Sequence, residues 1–400
     1  MINIAVLGHG NIGKGVLEVL KINKDLITEH AGEEIRVSRV LSRRHYPGDP
    51  VEEILTLDMD DILNDDSISI VVEVIGGTDP AYTYVKSALE HGKNVVTSNK
   101  ALVAAHGPEL IETAKAHNVN FMFEASVGGG IPIIRPLQRC LAADDILEIS
   151  GILNGTTNFI LTKMYNEGSA FDETLKEAQR LGYAEADPSA DIEGDDPSRK
   201  ISILASLACR QFVDYHDIHH KGIAEITATD IAFAKAIGRK IKLFASMIKS
   251  DAGVSCEVRP VMIGPDNSLY TVDGVKNGII VRGNMLGDIT FLGAGAGMLP
   301  TASSVVSDIL VQAGHLHHNV PTEMKPEKVK LVPAGASECC YFIRTAADIS
   351  DEAQKLIKID QKIELADCPD DIGFITKPML PDELDQLRAT GFVRNIIKLK

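Results

Sequence analysis

Four hundred residues, 44% apolar and 24% charged, fill two or three globular domains and exclude a disordered chain, a peptide ligand or a disulfide-stapled miniature. Forty Lys and Arg against 56 Asp and Glu leave a net charge of −16 with no segregated basic tract, which argues against nucleic acid as a partner. The six scattered cysteines, the absence of an ~18-residue apolar window and an opening without signal-peptide character point to a cytoplasmic protein that makes no membrane contact.

Over the first 130 residues short apolar runs alternate with amphipathic stretches of helix length, the rhythm of a doubly wound parallel sheet. Strands are predicted at 2–7, 35–41, 68–75, 94–98 and 120–124, and helices at 13–24, 80–91 and 102–117. The cluster Gly128-Gly129-Gly130 with Ile131-Pro132 breaks that rhythm and marks the first boundary, giving a nucleotide-binding domain over 1–130. A second, α+β domain over 131–320 mixes helices with extended stretches at 148–153, 256–263 and 278–282. Near its end Gly293-Ala294-Gly295-Ala296-Gly297 precedes Pro300 and a helix at 303–313, expected to return to the first domain. Residues 319–330, with Pro321 and Pro326, read as a linker. Beyond it, strands at 339–345, 362–366, 371–376 and 393–399 with helices at 350–357 and 381–390 spell βαββαβ, a ferredoxin-like module over 331–400.

Gly8-His9-Gly10-Asn11-Ile12-Gly13 follows the first strand and opens the first helix, the context that gives GxGxxG its meaning. Its glycines allow a tight turn, approach of a pyrophosphate to bare backbone and close helix–strand packing, while the helix start supplies amides. The second strand ends in Leu41-Ser42-Arg43-Arg44 instead of the acid that holds the ribose of NAD. Guanidinium groups suit a 2′-phosphate, so NADP and NAD both stay open, as does a merely solvated Arg43 and Arg44. Lys100 sits just past the carboxyl end of a predicted strand, where open parallel sheets bind ligands, although lysines also decorate surfaces.

The acid-dense stretch from Leu181 to Lys200 ends on Arg199 and Lys200 at the start of an apolar helix (201–209). Carboxylates beside a lysine can hold an ammonium substrate and tune the lysine's proton affinity; a plain acidic surface is the alternative, and EF-hand spacing is missing. Asn154-Gly155-Thr156-Thr157-Asn158 is a polar turn before a helix at 159–166, suited to capping or to substrate hydrogen bonds. The histidines at 216, 219, 220, 315, 317 and 318 read as turn residues, lacking the helical HExxH or nearby cysteines of a metal site.

Together these segments resemble the homoserine dehydrogenases, whose signature is filled by Ala178, Gly182, Asp187, Pro188, Asp191, Gly194, Asp196 and Lys200. The resemblance implies interconversion of L-homoserine and aspartate 4-semialdehyde with NAD(P), in threonine and methionine biosynthesis. It implies Lys200 as the general acid/base with Lys100 assisting, and substrate contacts from Glu185, Asp191, Asp196, Asn154 and Thr156. It sets the cofactor against Gly8, Gly10, Asn11, Ile12, Gly13, Arg43, Gly76, Thr78, Ser98 and Lys100. A sodium ion is implied on the backbone oxygens of Val127, Gly129 and Ile131, and a homodimer or homotetramer as the assembly. The C-terminal module looks like an ACT domain. It departs from the usual Asp-x-Pro-Gly turn, reading Arg344-Thr345-Ala346-Ala347, which points to subunit pairing without threonine sensing. A dinucleotide-binding regulator without turnover is the rival expectation.

Overall fold

The computed structural model describes residues 1–333 and 338–400. Its first part runs β1 (Ile2–Leu7), α1 (Asn11–Ile22), α2 (Lys24–Ala31), β2 (Ile35–Leu41), β3 (Leu55–Thr56), α3 (Asp60–Leu63), β4 (Ile68–Glu73), α4 (Ala81–Glu90), β5 (Asn94–Thr97), α5 (Lys100–Ala116) and β6 (Phe121–Met122). All six strands are parallel, in the order β3-β2-β1-β4-β5-β6, so the winding direction reverses between β1 and β4. Ligands bind beyond the carboxyl ends of strands at such a reversal. Both faces of the sheet are covered, which explains the near-continuous apolar strands. Ile4, Val6, Ile70 and Val72 face one layer with Val16, whereas Ala5, Leu7, Val71 and Val95 face the other with Val85, Leu89 and Leu102.

The second part contains β7 (Ile146–Ile152), α6 (Gly155–Glu167), α7 (Phe171–Arg180), α8 (Ser189–Ile192), α9 (Asp195–Cys209), β8 (Gln211–Phe212), β9 (His219–His220), α10 (Ala228–Ala236), β10 (Lys240–Ser250), β11 (Gly253–Ile263), β12 (Lys276–Gly283) and β13 (Gly287–Ala294). Five of these strands form a sheet in the order β13-β12-β7-β10-β11, antiparallel at each step, with β9 pairing in parallel on β11; α6 and α9 pack on it. The next helix, α11 (Met298–Ala313), leaves this sheet and lies on the first one, where Ala302, Val305, Val306 and Ile309 join the layer of Val16, Ile4 and Val6. Gly15 permits the approach of α1 and α11: a Cβ there would stand 2.9 Å from Met298.

Residues 319–330 differ from the expected free linker. Asn319 and Val320 are bonded to Asn118 and Asn120, Met324 is buried, and β14 (Lys325–Lys328) pairs in parallel with β8. The last part, β15 (Tyr341–Ala346), α12 (Asp351–Lys355), β16 (Ile359–Glu364), β17 (Asp371–Thr376), α13 (Pro381–Arg388) and β18 (Val393–Leu399), has the order β18-β15-β17-β16, antiparallel throughout. It continues the second sheet through a parallel β11–β18 pairing. Buried Arg344 reinforces the junction, with Nε 2.8 Å from Asp230 of α10 and a further bond to Asp371; Asn395 also donates to Asp230.

Several helices begin earlier than apolar periodicity suggests, because caps rather than core residues start them. Asn99 accepts the Leu102 amide and starts α5 at residue 100; Asn154 accepts the Thr157 amide and starts α6 at 155. The strand predicted at 120–124 shortens to Phe121–Met122, since the chain turns at 124–126 and the Glu124 carboxylate accepts the amides of Ile133, Ile134 and Arg135.

Candidate active site

At the carboxyl ends of β1, β2 and β4 lies a cleft of about 420 Å³ lined by Gly8, His9, Gly10, Ser42, Arg43, Arg44, Tyr46, Ile75 and Tyr84. Each glycine of the fingerprint has its own reason. Gly8 turns the chain at φ +108, Gly10 faces open space, and a Cβ on Gly13 would meet the Gly8 carbonyl at 2.1 Å. Gly10 caps α1 without a side-chain hydrogen bond, so the first-turn amides around Asn11, Ile12 and Gly13 remain available to an anion. Arg43 and Arg44 are both exposed at the cleft, and Arg44 lies 5.2 Å from the Tyr46 ring centroid. Tyr46 also meets His9 edge to face at 4.8 Å. His9 and Tyr46 were not legible as cleft walls, because their meeting depends on the loop after β2.

Across the sheet, Gly76 and Gly77 turn the chain beyond β4 with φ of +84 and +75, followed by Thr78, whose carbonyl accepts from Tyr82. Ser98 and Asn99 leave β5, and Asn99 reaches back to the Gly77 carbonyl at 2.5 Å. Lys100, the first residue of α5, points at the second part of the molecule and ion-pairs with Asp196.

Asp196 lies in the first turn of α9, and its side chain is 3% exposed. One carboxylate oxygen faces Lys100; the other accepts from Lys200 Nζ at 2.8 Å, one helical turn along α9, and from Asn154 Nδ2 at 2.9 Å. Burial opposes the charge on Asp196, but the ammonium groups of Lys200 and Lys100 outweigh it and hold the carboxyl below its ordinary range. Lys200 also donates to the Leu153 carbonyl at 2.7 Å. Burial lowers its proton affinity, Asp196 opposes this, and the nearby positive charge of Lys100 adds to the lowering. Asp191 is tied in through Asn154 Nδ2 at 2.6 Å.

Lys100, Lys200, Asp196, Asn154 and Asp191 therefore form one cluster drawn from four separate chain segments. Thr156 stands beside it, but its hydroxyl donates to the Tyr183 carbonyl at 2.6 Å and so ties α6 to the turn after α7. Glu185 is exposed in that turn, and its carboxylate forms no hydrogen bond or ion pair among the described residues. Asn158 faces away from the cluster and donates to the Val272 and Lys276 carbonyls. The Leu153 carbonyl was not foreseen, since a backbone acceptor carries no residue-type signal.

Val127, Gly129 and Ile131 occupy a turn with Gly128 at φ +74 and Gly129 at φ +55. A Cβ on Gly129 would approach the Gly295 carbonyl to 2.6 Å, so the turn is seated against the 293–297 loop. Its carbonyl accepts the Ser304 hydroxyl at 2.7 Å, using one of two lone pairs. Backbone oxygens are the donor type a hard monovalent cation takes. Among the described residues no helix is long and apolar enough to cross a membrane.

With the geometry in hand, comparison with known proteins is specific. The homoserine dehydrogenase family profile covers residues 132–310, and the profile of the homoserine dehydrogenase NAD-binding domain covers residues 8–124. The chain is 45% identical to the homoserine dehydrogenase of Synechocystis sp. over 316 residues, 77% of this chain and 72% of that one. The crystal structure of a homoserine dehydrogenase from Thiobacillus denitrificans superposes with a TM-score of 0.91 at 36% identity, covering 100% of this chain and 98% of that one. A hyperthermophilic archaeal homoserine dehydrogenase in complex with NADPH gives a TM-score of 0.67 at 29% identity, over 78% of this chain and 97% of that one. These matches do not favour the rival expectation of a regulator without turnover.

Proposed function

The chain belongs to the homoserine dehydrogenase family and is an NAD(P)-dependent oxidoreductase interconverting L-homoserine and L-aspartate 4-semialdehyde; from that premise we propose that Lys200 carries the proton and Lys100 serves beside it. The observation that supports this division is the single buried carboxylate, Asp196, shared by both lysines. A bound nicotinamide supplies the hydride acceptor at its C4. Lys200 Nζ would take the proton from the substrate hydroxyl oxygen as hydride leaves the carbon bearing that hydroxyl, and return it in the reverse direction.

The hydrogen bonds explain why this nitrogen suits the task. An ammonium has three donors, and those of Lys200 meet Leu153 and Asp196 in two directions. The neutral amine keeps both bonds and turns its lone pair to the third direction, where the hydroxyl belongs. Asp196 then retains Lys100 as its cation, so deprotonation strands no buried charge. Asp191, oriented by Asn154, and the exposed Glu185 hold the substrate ammonium, while Thr156 keeps their turn in place.

NADP is the cofactor we favour, because Arg43 and Arg44 line the cleft beyond the end of β2 and would suit a 2′-phosphate. A sodium ion on Val127, Gly129 and Ile131 would brace the turn between the two parts. We divide the chain into a nucleotide-binding domain (1–130, with α11), a substrate and dimerisation domain (131–320) and an ACT-like domain (331–400), in a cytoplasmic homodimer or larger homo-oligomer. The open edge strand β13, with Leu292 exposed and Met285 exposed in the preceding turn, supports the pairing of copies. Arg344 is fully engaged by acids, which supports a structural role for the ACT-like domain; threonine titration should leave the rate flat. The central test is homoserine-dependent reduction of NADP and NAD, lost by a factor on the order of 10²–10⁴ in Lys200→Ala. Turnover unaffected by that substitution would remove Lys200 from the reaction.

A further inference from the structure

Glu73, the last residue of β4, is fully buried, and the scheme above gives it no task. Burial pushes its carboxyl above the ordinary range, and the hydrogen-bond donors around it oppose that rise. Oε2 accepts the Thr97 hydroxyl at 2.6 Å; Oε1 accepts the amides of Ile75 at 2.7 Å and Gly76 at 3.3 Å. The donors come from two segments that both lead to the active site. Ile75 lines the cofactor cleft, and the Gly76–Gly77 turn follows it. On the other side the Thr97 hydroxyl, having given its proton to Glu73, accepts the Asn99 amide at 2.9 Å. Asn99 closes the ring by donating to the Gly77 carbonyl at 2.5 Å, and its own carbonyl oxygen caps α5 through the Leu102 amide at 3.1 Å. Lys100 is the next residue, paired with Asp196.

We infer that Glu73 is a positioning residue of the reaction: through Thr97 and Asn99 it locks the turn at 75–77 against the start of α5, and so sets both the nicotinamide end of the cofactor and the reach of Lys100. The amides in the ring can only donate, so the one adjustable bond is that of the Thr97 hydroxyl, and an acceptor at Glu73 takes its proton and leaves its lone pairs to the Asn99 amide. The inference rests on the proposed role of Lys100, and the experiment separates the two.

Steady-state kinetics of the full chain are compared for Glu73→Ala, Glu73→Gln and Lys100→Ala. Glu73→Ala is expected to lower kcat and raise the cofactor KM, each by a factor on the order of 10, as a displaced reacting group does. Glu73→Gln keeps an acceptor for Ile75 and Gly76 but turns an amide donor toward Thr97, so it is expected to recover only part of the loss in cofactor KM. A second readout is the pH profile of homoserine oxidation, which rises as Lys200 becomes neutral. Lys200 is faced by Asp196, Asp191 and Lys100; withdrawing Lys100 removes a like charge, so the rising limb moves to higher pH in Glu73→Ala. A Glu73 that only stabilises the fold would lower Tm and leave kcat, cofactor KM and the limb unchanged, and that result overturns the inference. Should Glu73→Ala not fold, Thr97→Val cuts the same link and must reproduce the rise in cofactor KM. If Lys100→Ala itself leaves turnover intact, the role of Lys100 falls, and Glu73 stands or falls on the cofactor KM alone.

Discussion

Lys200 and Lys242 are both buried lysines with lowered proton affinity, yet only one is arranged to react. Lys242, on β10, donates to Asn158 Oδ1 at 2.8 Å, the Val272 carbonyl at 2.7 Å and Asp273 Oδ1 at 2.9 Å. Its three donors are all engaged, so losing a proton forfeits a bond and leaves no lone pair facing a cavity. Burial pulls it down to about 8, against the opposing pull of Asp273. Lys200 has two acceptors and one direction left, and its carboxylate partner is shared with the 41%-exposed side chain of Lys100. A depressed pKa therefore reports burial; a donor direction left without an acceptor reports function. Lys242 instead ties Asn158 of α6 to the turn at 272–273, which holds the helix behind the Asn154 turn.

The sharpest way to break this comparison is to remove each nitrogen in turn. Lys200→Met should cost a factor on the order of 10²–10⁴ in kcat. Lys242→Met should do the reverse, lowering stability by about 3 kcal/mol in urea titration because buried acceptors are left unpaired, with kcat near wild type. Turnover lost in Lys242→Met at unchanged stability would refute the distinction. A smaller effect is expected from pH. Lys242 has a folded pKa of about 8 and an unfolded value near 10.4, so the unfolded chain binds more protons between them and stability rises with pH across that window. Denaturation at pH 8 and pH 10 should show wild type gaining up to about 2 kcal/mol relative to Lys242→Met. The smallest change concerns the cofactor: Arg43→Ala should reduce the ratio of kcat/KM for NADP over NAD roughly tenfold, the size of one charge-assisted contact. An unchanged ratio would assign Arg43 to solvent.

Much of this site was legible in one dimension. The glycine spacing after β1 and the acids preceding Lys200 each carry a side-chain type that chemistry demands, and Asp196 and Lys200 sit four residues apart on one helix face. Lys100 could be placed at a strand end but not opposite Asp196, because their pairing depends on how the two sheets are set against each other. The Leu153 carbonyl and the Glu73 ring were hidden for a related reason: one is backbone, and the other is an acid that ends an apolar strand and looks like ordinary punctuation. The linker expected at 319–330 misled because its prolines suggest freedom, whereas Met324 and the Asn118 and Asn120 contacts bind it down.

The position of α11 has a consequence for how the chain matures. Ala302, Val305, Val306 and Ile309 complete a layer begun by residues near the amino terminus, with the whole second sheet synthesised in between. A nascent chain leaving the ribosome must keep the part of that apolar face which α1 and α2 do not cover exposed until residue 313 emerges, so the amino-terminal fragment alone is an aggregation hazard and not a miniature of the enzyme.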